Sequence, residues 1–342
     1  MAIVTTEEYN AMLDKAKAGK FAYPAINVTS SQTLTAALEG FTKANSDGII
    51  QVSVGGAEYW SGSSIKDRVA GSLAMAAYAR EVAKNYPINV ALHTDHCAKQ
   101  NLDSWVLPLM ELEAEEVKAG REPFYQSHMW DGSAIALDEN IDIAVQMLEK
   151  SQKAHTILEI EIGAVGGEED GVVGEINDKL YTSTEDAMKA VKALGLGEKG
   201  RYITALTFGN VHGVYKPGNV KLRPEILGKI QEEVAEQVGW KNNRPFDLVM
   251  HGGSGSTEEE IALAVANGVI KMNVDTDTQY AFTRPVVDWM LKNYEGVLKI
   301  EGEVGNKKQY DPRAWGKAAQ AGMADRVVEA CQRLGSLDSH SK

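Results

Sequence analysis

The stretch Val90-Ala-Leu-His93-Thr-Asp95-His96-Cys97 is an apolar run of strand type that stops on two histidines and an aspartate. Buried strands normally end in turn residues, so one that delivers imidazole and carboxylate to its carboxyl end presents metal ligands or acid/base groups. Taken alone, the same residues also fit a satisfied structural histidine beside a helix-capping aspartate. The rest of the chain bears on the choice. Of seven histidines, four (His93, His96, His212 and His251) fall at the ends of the third, sixth and seventh apolar stretches or just after them. Three neutral imidazoles that converge from separate strands and leave one position open suit Zn²⁺ acting as a Lewis acid. His93 and His96 share a stretch, so one serves as ligand and the other as its support. His155 reads as a surface or packing residue, and His340 lies in a polar tail.

Acidic groups recur in the same places. Asp95 adjoins His96, Asp131 follows the fourth apolar stretch, and Glu159 and Glu161 alternate on the fifth, ahead of Glu168, Glu169 and Asp170. Alternation puts Glu159 and Glu161 on one face, which is costly in a core without cations or hydrogen bonds. A second cation site and a hydrogen-bonded carboxylate network both answer that cost. Glycines add a ligand class. His251-Gly252-Gly253-Ser254-Gly255-Ser256 and Asn273-Val274-Asp275-Thr276 close the last two apolar stretches, where backbone N–H groups and a helix N-terminus can hold phosphate. A Lewis acid, paired carboxylates and a phosphate cradle together suit carbon–carbon bond cleavage or formation through an enediolate.

Positioning these groups requires a particular scaffold. Eight apolar, strand-length stretches occur: Phe21–Asn27, Gly48–Ser53, Ile88–His93, Phe124–His128, Thr156–Ile162, Tyr202–Phe208, Phe246–His251 and Val269–Val274. Helical patterns lie between them at Ser64–Lys84, Leu102–Lys118, Asp138–Lys153, Thr184–Leu194, Pro224–Val238 and Glu258–Ala266. Eight strands alternating with helices predict an α/β fold, a (β/α)₈ TIM barrel. Polar or glycine-rich segments follow most strands and plainer ones precede them, which places the chemistry at the strands' carboxyl ends. We expect one barrel domain over residues 1–342: an N-terminal helix in 1–20, the barrel in 21–280, and a last helix with a C-terminal helical extension in 281–342. Gly163–Thr182 and Val211–Arg223 are long enough for loops that close over a site.

Composition narrows the function classes. The 342 residues are 44% hydrophobic and carry 48 acidic against 35 basic side chains, a net charge of −13, which disfavours nucleic acid and anionic membranes as partners. Two cysteines make no disulfide framework, and the amino terminus shows neither a basic segment nor an apolar signal core. A cytoplasmic protein is expected.

These motifs carry a resemblance. Thr94-Asp-His-Cys, Ser127-His-Met-Trp-Asp-Gly-Ser, Leu158-Glu-Ile-Glu-Ile-Gly, Gly166-Gly-Glu-Glu-Asp-Gly, Phe208-Gly-Asn-Val-His-Gly-Val-Tyr-Lys-Pro-Gly, His251-Gly-Gly-Ser-Gly and Lys271-Met-Asn-Val-Asp-Thr-Asp-Thr, in this order, closely resemble the class II, zinc-dependent fructose-bisphosphate aldolases, in the long-loop subgroup of bacteria and fungi. The resemblance implies reversible cleavage of fructose 1,6-bisphosphate to dihydroxyacetone phosphate and glyceraldehyde 3-phosphate in glycolysis and gluconeogenesis. It further implies that His96, His212 and His251 bind the catalytic Zn²⁺ and that Asp95 protonates the aldehyde carbonyl. Asp131, Glu161 and Glu168 match a second divalent metal site, towards which His96 can turn. Glu169 matches the base that exchanges the dihydroxyacetone phosphate proton, with Glu168 beside it as the alternative. Gly213, Gly252, Gly253, Ser254, Asn273, Val274, Asp275 and Thr276 match the phosphate cradle, where a monovalent cation (Na⁺ or K⁺) also sits. Asn27 and Ser53 match substrate contacts, and Arg313 an arginine that reaches the second phosphate, in some members from a neighbouring subunit. A homodimer or homotetramer is implied. Tagatose 1,6-bisphosphate as substrate, a zinc hydrolase and a noncatalytic phosphosugar-binding protein are the competing readings.

Overall fold

Eight parallel strands, each hydrogen-bonded to its neighbours in sequence, close into a barrel: β1 (Tyr23–Asn27), β2 (Gly48–Val52), β3 (Val90–Ala98), β4 (Ser127–Asp131), β5 (Ile157–Ile162), β6 (Tyr202–Leu206), β7 (Leu248–Met250) and β8 (Val269–Val274). The structure is a computed structural model that describes residues 3–163, 166–169, 172–174, 180–212, 222–253, 256–300 and 304–341, with the backbone alone for 166–169, 172–174 and 211–212. Helices fill the connections, as the alternation predicts for a (β/α)₈ barrel.

Several boundaries differ from expectation, three of them for a clear local reason. β4 starts at Ser127 rather than Phe124, because the preceding backbone bonds to side chains of the helical layer: the Tyr125 N–H donates to Glu113 (2.9 Å) and the Phe124 carbonyl accepts from Arg80 (2.8 Å). Val54–Trp60, which reads as a glycine-rich loop, is a short helix capped by Ser53, whose hydroxyl accepts from the Gly56 N–H. β3 does not stop at the histidines but runs on to Ala98 through an irregularity in its pairing with β4.

The chain buries two apolar clusters. One lies between the strands and the surrounding helices. The other lies inside the barrel, where helix Thr6–Gly19 lays Tyr9, Met12, Leu13 and Ala16 against Tyr23, Ile49, Ala91, Ile157, Ile203, Val249 and Ile270. A capping box between Thr5 and Glu8 starts that helix, and ion pairs fix it: Lys17 with Asp247 (2.8 Å) and Arg201 with Asp14 (2.8 Å). The barrel floor is thereby closed. The expected C-terminal extension is helix Pro312–Arg333, packed on helices Ser31–Lys43 and Thr276–Lys292. The tail beyond it is anchored, since the His340 ring bonds Asp47 (2.7 Å) and its N–H donates to the Asn45 carbonyl. Among the described residues, no helix is long and apolar enough to cross a membrane.

The two long loops meet in a small accessory sheet. Gly166–Glu169 pairs antiparallel with Val172–Gly174 and parallel with Val211–His212, with Gly167 opposite His212.

Candidate active site

Climbing a strand by two residues keeps the side chain on the same face. From the apolar floor this leads from Ile49 to Gln51 to Ser53, from Ala91 to His93 to Asp95, and from Ile157 to Glu159 to Glu161. The carboxyl ends of the strands therefore gather polar and ionisable side chains at the barrel mouth.

His96 breaks the alternation. As the immediate neighbour of Asp95 it belongs on the opposite face, yet its Nε2 lies 3.9 Å from Asp95 Oδ1 and its Nδ1 lies 3.0 Å from Asp131. The irregularity between Thr94 and Cys97, with His96 at φ +39°, turns both side chains into the mouth. Bulges of this kind re-aim side chains beside active sites. The register also separates the two histidines: His93 is buried below, hydrogen-bonded to Ser127 (2.7 Å) and 3.2 Å from Glu159, so His96 is the ligand candidate and His93 the support. Burial and the nearby Lys271 hold the His93 ring well below its ordinary value, that is, neutral.

His96, Glu161 and His251 form a group whose ligand atoms all lie within 4.8 Å of one another, and all three are buried. Each imidazole is oriented from behind by a carboxylate, as metal-binding histidines usually are. His251 Nε2 donates to Glu159 at 2.7 Å, which turns Nδ1 to Glu161 at 3.6 Å. His96 Nδ1 faces Asp131, whose other oxygen accepts from the Ser133 N–H (3.0 Å) and hydroxyl (2.6 Å). Burial works to raise the Asp131 carboxyl, but His96 and Ser133 outweigh it and hold it well below the usual range. Burial likewise lowers His251, yet Glu161 and Glu159 overcome it and lift the ring to about 9. Both oxygens of Glu161 are buried and accept no hydrogen bond from the described residues. A buried carboxylate that accepts no hydrogen bond from the described residues and faces two imidazoles could hold a divalent cation, and Zn²⁺ fits that donor set.

Asp95 sits beside this group, 1% exposed, in a cradle of amides. Asn273 Nδ2 donates to Oδ1 and Asn27 Nδ2 to Oδ2, both at 2.9 Å, while Gln51 donates to Asn27 at 2.6 Å. The expected substrate contacts Asn27 and Ser53 thus border the same mouth. Gly252, at φ +62°, turns the chain directly after His251, and Asn210 holds that turn by donating to the His251 carbonyl (3.0 Å). Helix Thr276–Lys292 begins at the end of β8 with Asp275 as its N-cap, beside Asn273 and Val274. The helix after β7 is set back: it starts at Glu258, and a capping box with Thr257 engages its first turn.

Other expected residues stand apart. Arg313 lies in the first turn of helix Pro312–Arg333, its side chain 83% exposed and folded onto Asp311 (2.7 Å). The side chains of His212, Glu168 and Glu169 lie outside the described residues, although their backbones share the accessory sheet; Gly213 and Ser254 lie outside them altogether. Gln51, Asn210 and Lys271 support the site without having been singled out as site residues, and so does Glu159, which the sequence marks only through its pairing with Glu161. Two of them left a trace in the sequence, since Lys271 interrupts an apolar strand and Glu159 lies two residues before Glu161.

Residues 7–339 match the family model of class-II fructose-bisphosphate aldolase. The chain belongs to that family. It is 64% identical to the fructose-bisphosphate aldolase of Streptomyces coelicolor over the full length of both. With the fructose-bisphosphate aldolase of Mycobacterium tuberculosis it shares 58% identity over 98% of this chain and 97% of the relative. The crystal structure of the Campylobacter jejuni aldolase is similar at TM-score 0.86 and 39% identity, covering 98% of this chain and 97% of that one. Class II aldolases depend on zinc, in agreement with the donor set of His96, Glu161 and His251.

Proposed function

We propose that the barrel mouth is the reaction centre of a fructose 1,6-bisphosphate aldolase, an aldehyde-lyase of glycolysis, with Asp95 handling the proton on oxygen and Glu169 the proton on carbon. The observation that carries this reading is the convergence of Asp95, His96, Glu161 and His251 from three strands onto one buried point. His96 and His251, joined by His212 from the accessory sheet, would hold the catalytic Zn²⁺. Glu161 and Asp131, with Glu168, would serve a second divalent position. The bound cation supplies Lewis acidity that polarises the ketone and stabilises developing negative charge.

In the cleavage direction the Asp95 carboxylate accepts the proton of the C4 hydroxyl as the C3–C4 bond breaks. The bonding electron pair passes to the ketone half, and Glu169 delivers a proton to its carbon to give dihydroxyacetone phosphate. In the synthetic direction Asp95 returns its proton to the aldehyde oxygen of glyceraldehyde 3-phosphate. Asn27 and Ser53 border the substrate. Gly213, Gly252, Gly253, Ser254, Asn273, Val274, Asp275 and Thr276 form the phosphate cradle with its monovalent cation, and Arg313 reaches the far phosphate. The exposed position of Arg313 suits service to a neighbouring subunit. So do the exposed apolar side chains Tyr280, Val287, Leu291 and Leu298, which favour a homodimer or homotetramer. The reaction needs no membrane or nucleic acid partner and fits a cytoplasmic enzyme.

Triose phosphate release from fructose 1,6-bisphosphate, measured before chelation, after it, and after restoring Zn²⁺, tests the reading. Loss and recovery are expected. Turnover that persists in protein shown metal-free by elemental analysis would make the histidines structural.

A further inference from the structure

We propose that Lys271, in the middle of β8, is a positioning residue for the carbon–carbon step, because its ammonium fixes which face of the Asn273 amide meets Asp95. The inference rests on the proton-transfer role read for Asp95. Lys271 and Glu159 are both fully buried inside the barrel, 2.8 Å apart. Lys271 reaches the interior through a second pairing irregularity: Leu248 lies opposite Val269 but Val249 opposite Lys271, so that Ile270 and Lys271 both contribute to the inside. Its Nζ also donates to Asn273 Oδ1 at 2.6 Å.

An ammonium has donors and no acceptor, whereas an amide has a face of each kind and can turn over. Lys271 therefore obliges Asn273 to give it the oxygen, and the Asn273 NH₂ is left to donate to Asp95 Oδ1 at 2.9 Å. On the other side of Asp95, the described hydrogen bonds run through amides, Asn27 and then Gln51. In the run Gln51, Asn27, Asp95, Asn273, Lys271, the lysine is the one member apart from the carboxylate whose polarity cannot invert. The donated hydrogen bonds it secures fix the plane of the Asp95 carboxyl that exchanges a proton with the substrate oxygen. The competing role is purely structural: Lys271 would do no more than neutralise Glu159, which also accepts from His251.

Lys271→Met alone would strand the Glu159 charge in the core and could unfold the protein. The decisive protein is the zinc-loaded double variant Lys271→Met/Glu159→Gln, which removes both charges and keeps an oxygen that can accept from His251. Three quantities are read beside the parent and Asp95→Ala: zinc content, solvent exchange of the carbon-bound proton of dihydroxyacetone phosphate, and fructose 1,6-bisphosphate cleavage. Exchange needs the carbon base but not Asp95; cleavage needs Asp95. At saturating Zn²⁺ and substrate the double variant should hold zinc and lose about 10²-fold in cleavage kcat, the scale of loss from a misplaced catalytic group, while exchange falls by far less. Exchange and cleavage falling together, or cleavage staying intact, would overturn the role given to Lys271. Cleavage intact in Asp95→Ala would overturn the underlying reading of Asp95 instead, and this inference with it.

Discussion

The floor and the mouth of the barrel are made by the same eight strands, yet nearly every inward side chain at the floor is apolar and nearly every one at the mouth carries a hydrogen-bonding or ionisable group. The floor is packed against Tyr9, Met12 and Leu13 of the first helix. At the mouth, Asp95, Asp131, Glu161, His96 and His251 crowd together, and each is held by a partner on another strand or loop. Glu161 lies four positions along β5 from Ile157, a rise of about 13 Å. Over that distance the role of the interior changes from packing to chemistry. Buried charge is tolerable at the mouth because it is paired, and a cation held there would complete it.

That contrast can be tested from both ends. The largest effect is expected at Asp95. Asp95→Ala should lower kcat by roughly 10²–10⁴-fold, the usual contribution of acid–base catalysis, while zinc content holds. His212→Ala should reduce zinc content and turnover together, and full metal occupancy in that variant would remove His212 from the ligand set. At the floor, Leu13→Ala should destabilise by about 2–5 kcal/mol in chemical denaturation and leave kcat and KM of the folded enzyme unchanged. A fall in kcat there would mean that the two ends are not separable.

A smaller effect concerns pH and the metal-free protein. His251 is raised in the fold from 6.5 to about 9 by Glu161 and Glu159, so the stability it contributes is fully present below pH 6.5 and is lost as pH rises through about 9. Denaturation midpoints of stripped enzyme should fall across that window, and those of zinc-loaded enzyme should not show this decline. The smallest effect is at the cysteines. Burial pushes Cys97 up to about 12 and Cys331 to about 11, so neither thiol should react with a disulfide reagent at neutral pH until the protein is denatured.

The barrel was legible in the sequence because each strand is short, apolar and followed by a polar segment; all eight expected strands are present. What could not be read was the pairing detail. Simple alternation puts Asp95 and His96 on opposite faces, and only the irregular pairing of β3 with β4 brings both to the mouth. Lys271 is a similar case, since periodicity does not say that Ile270 and Lys271 both enter the barrel. The amide cradle of Asp95 was half visible: Asn27 and Asn273 stood out as substrate contacts, but nothing local in the sequence says that both point at one carboxylate from strands 246 residues apart. Helix Val54–Trp60 was hidden by Gly55 and Gly56, whose helical cost is offset here by the Ser53 cap.

The sealed floor also sets a timetable for biosynthesis. Helix Thr6–Gly19 is translated before every strand of the barrel, and the strands it packs against inside the barrel include the last three, β6, β7 and β8. The tail that anchors to Asn45 and Asp47 is later still. The apolar face of Tyr9, Met12 and Leu13 therefore waits through the synthesis of all eight strands for the last of its partners, and a nascent chain in that condition is prone to aggregate or to engage a chaperone. The helix that closes the finished barrel must keep its apolar face available until the eighth strand arrives.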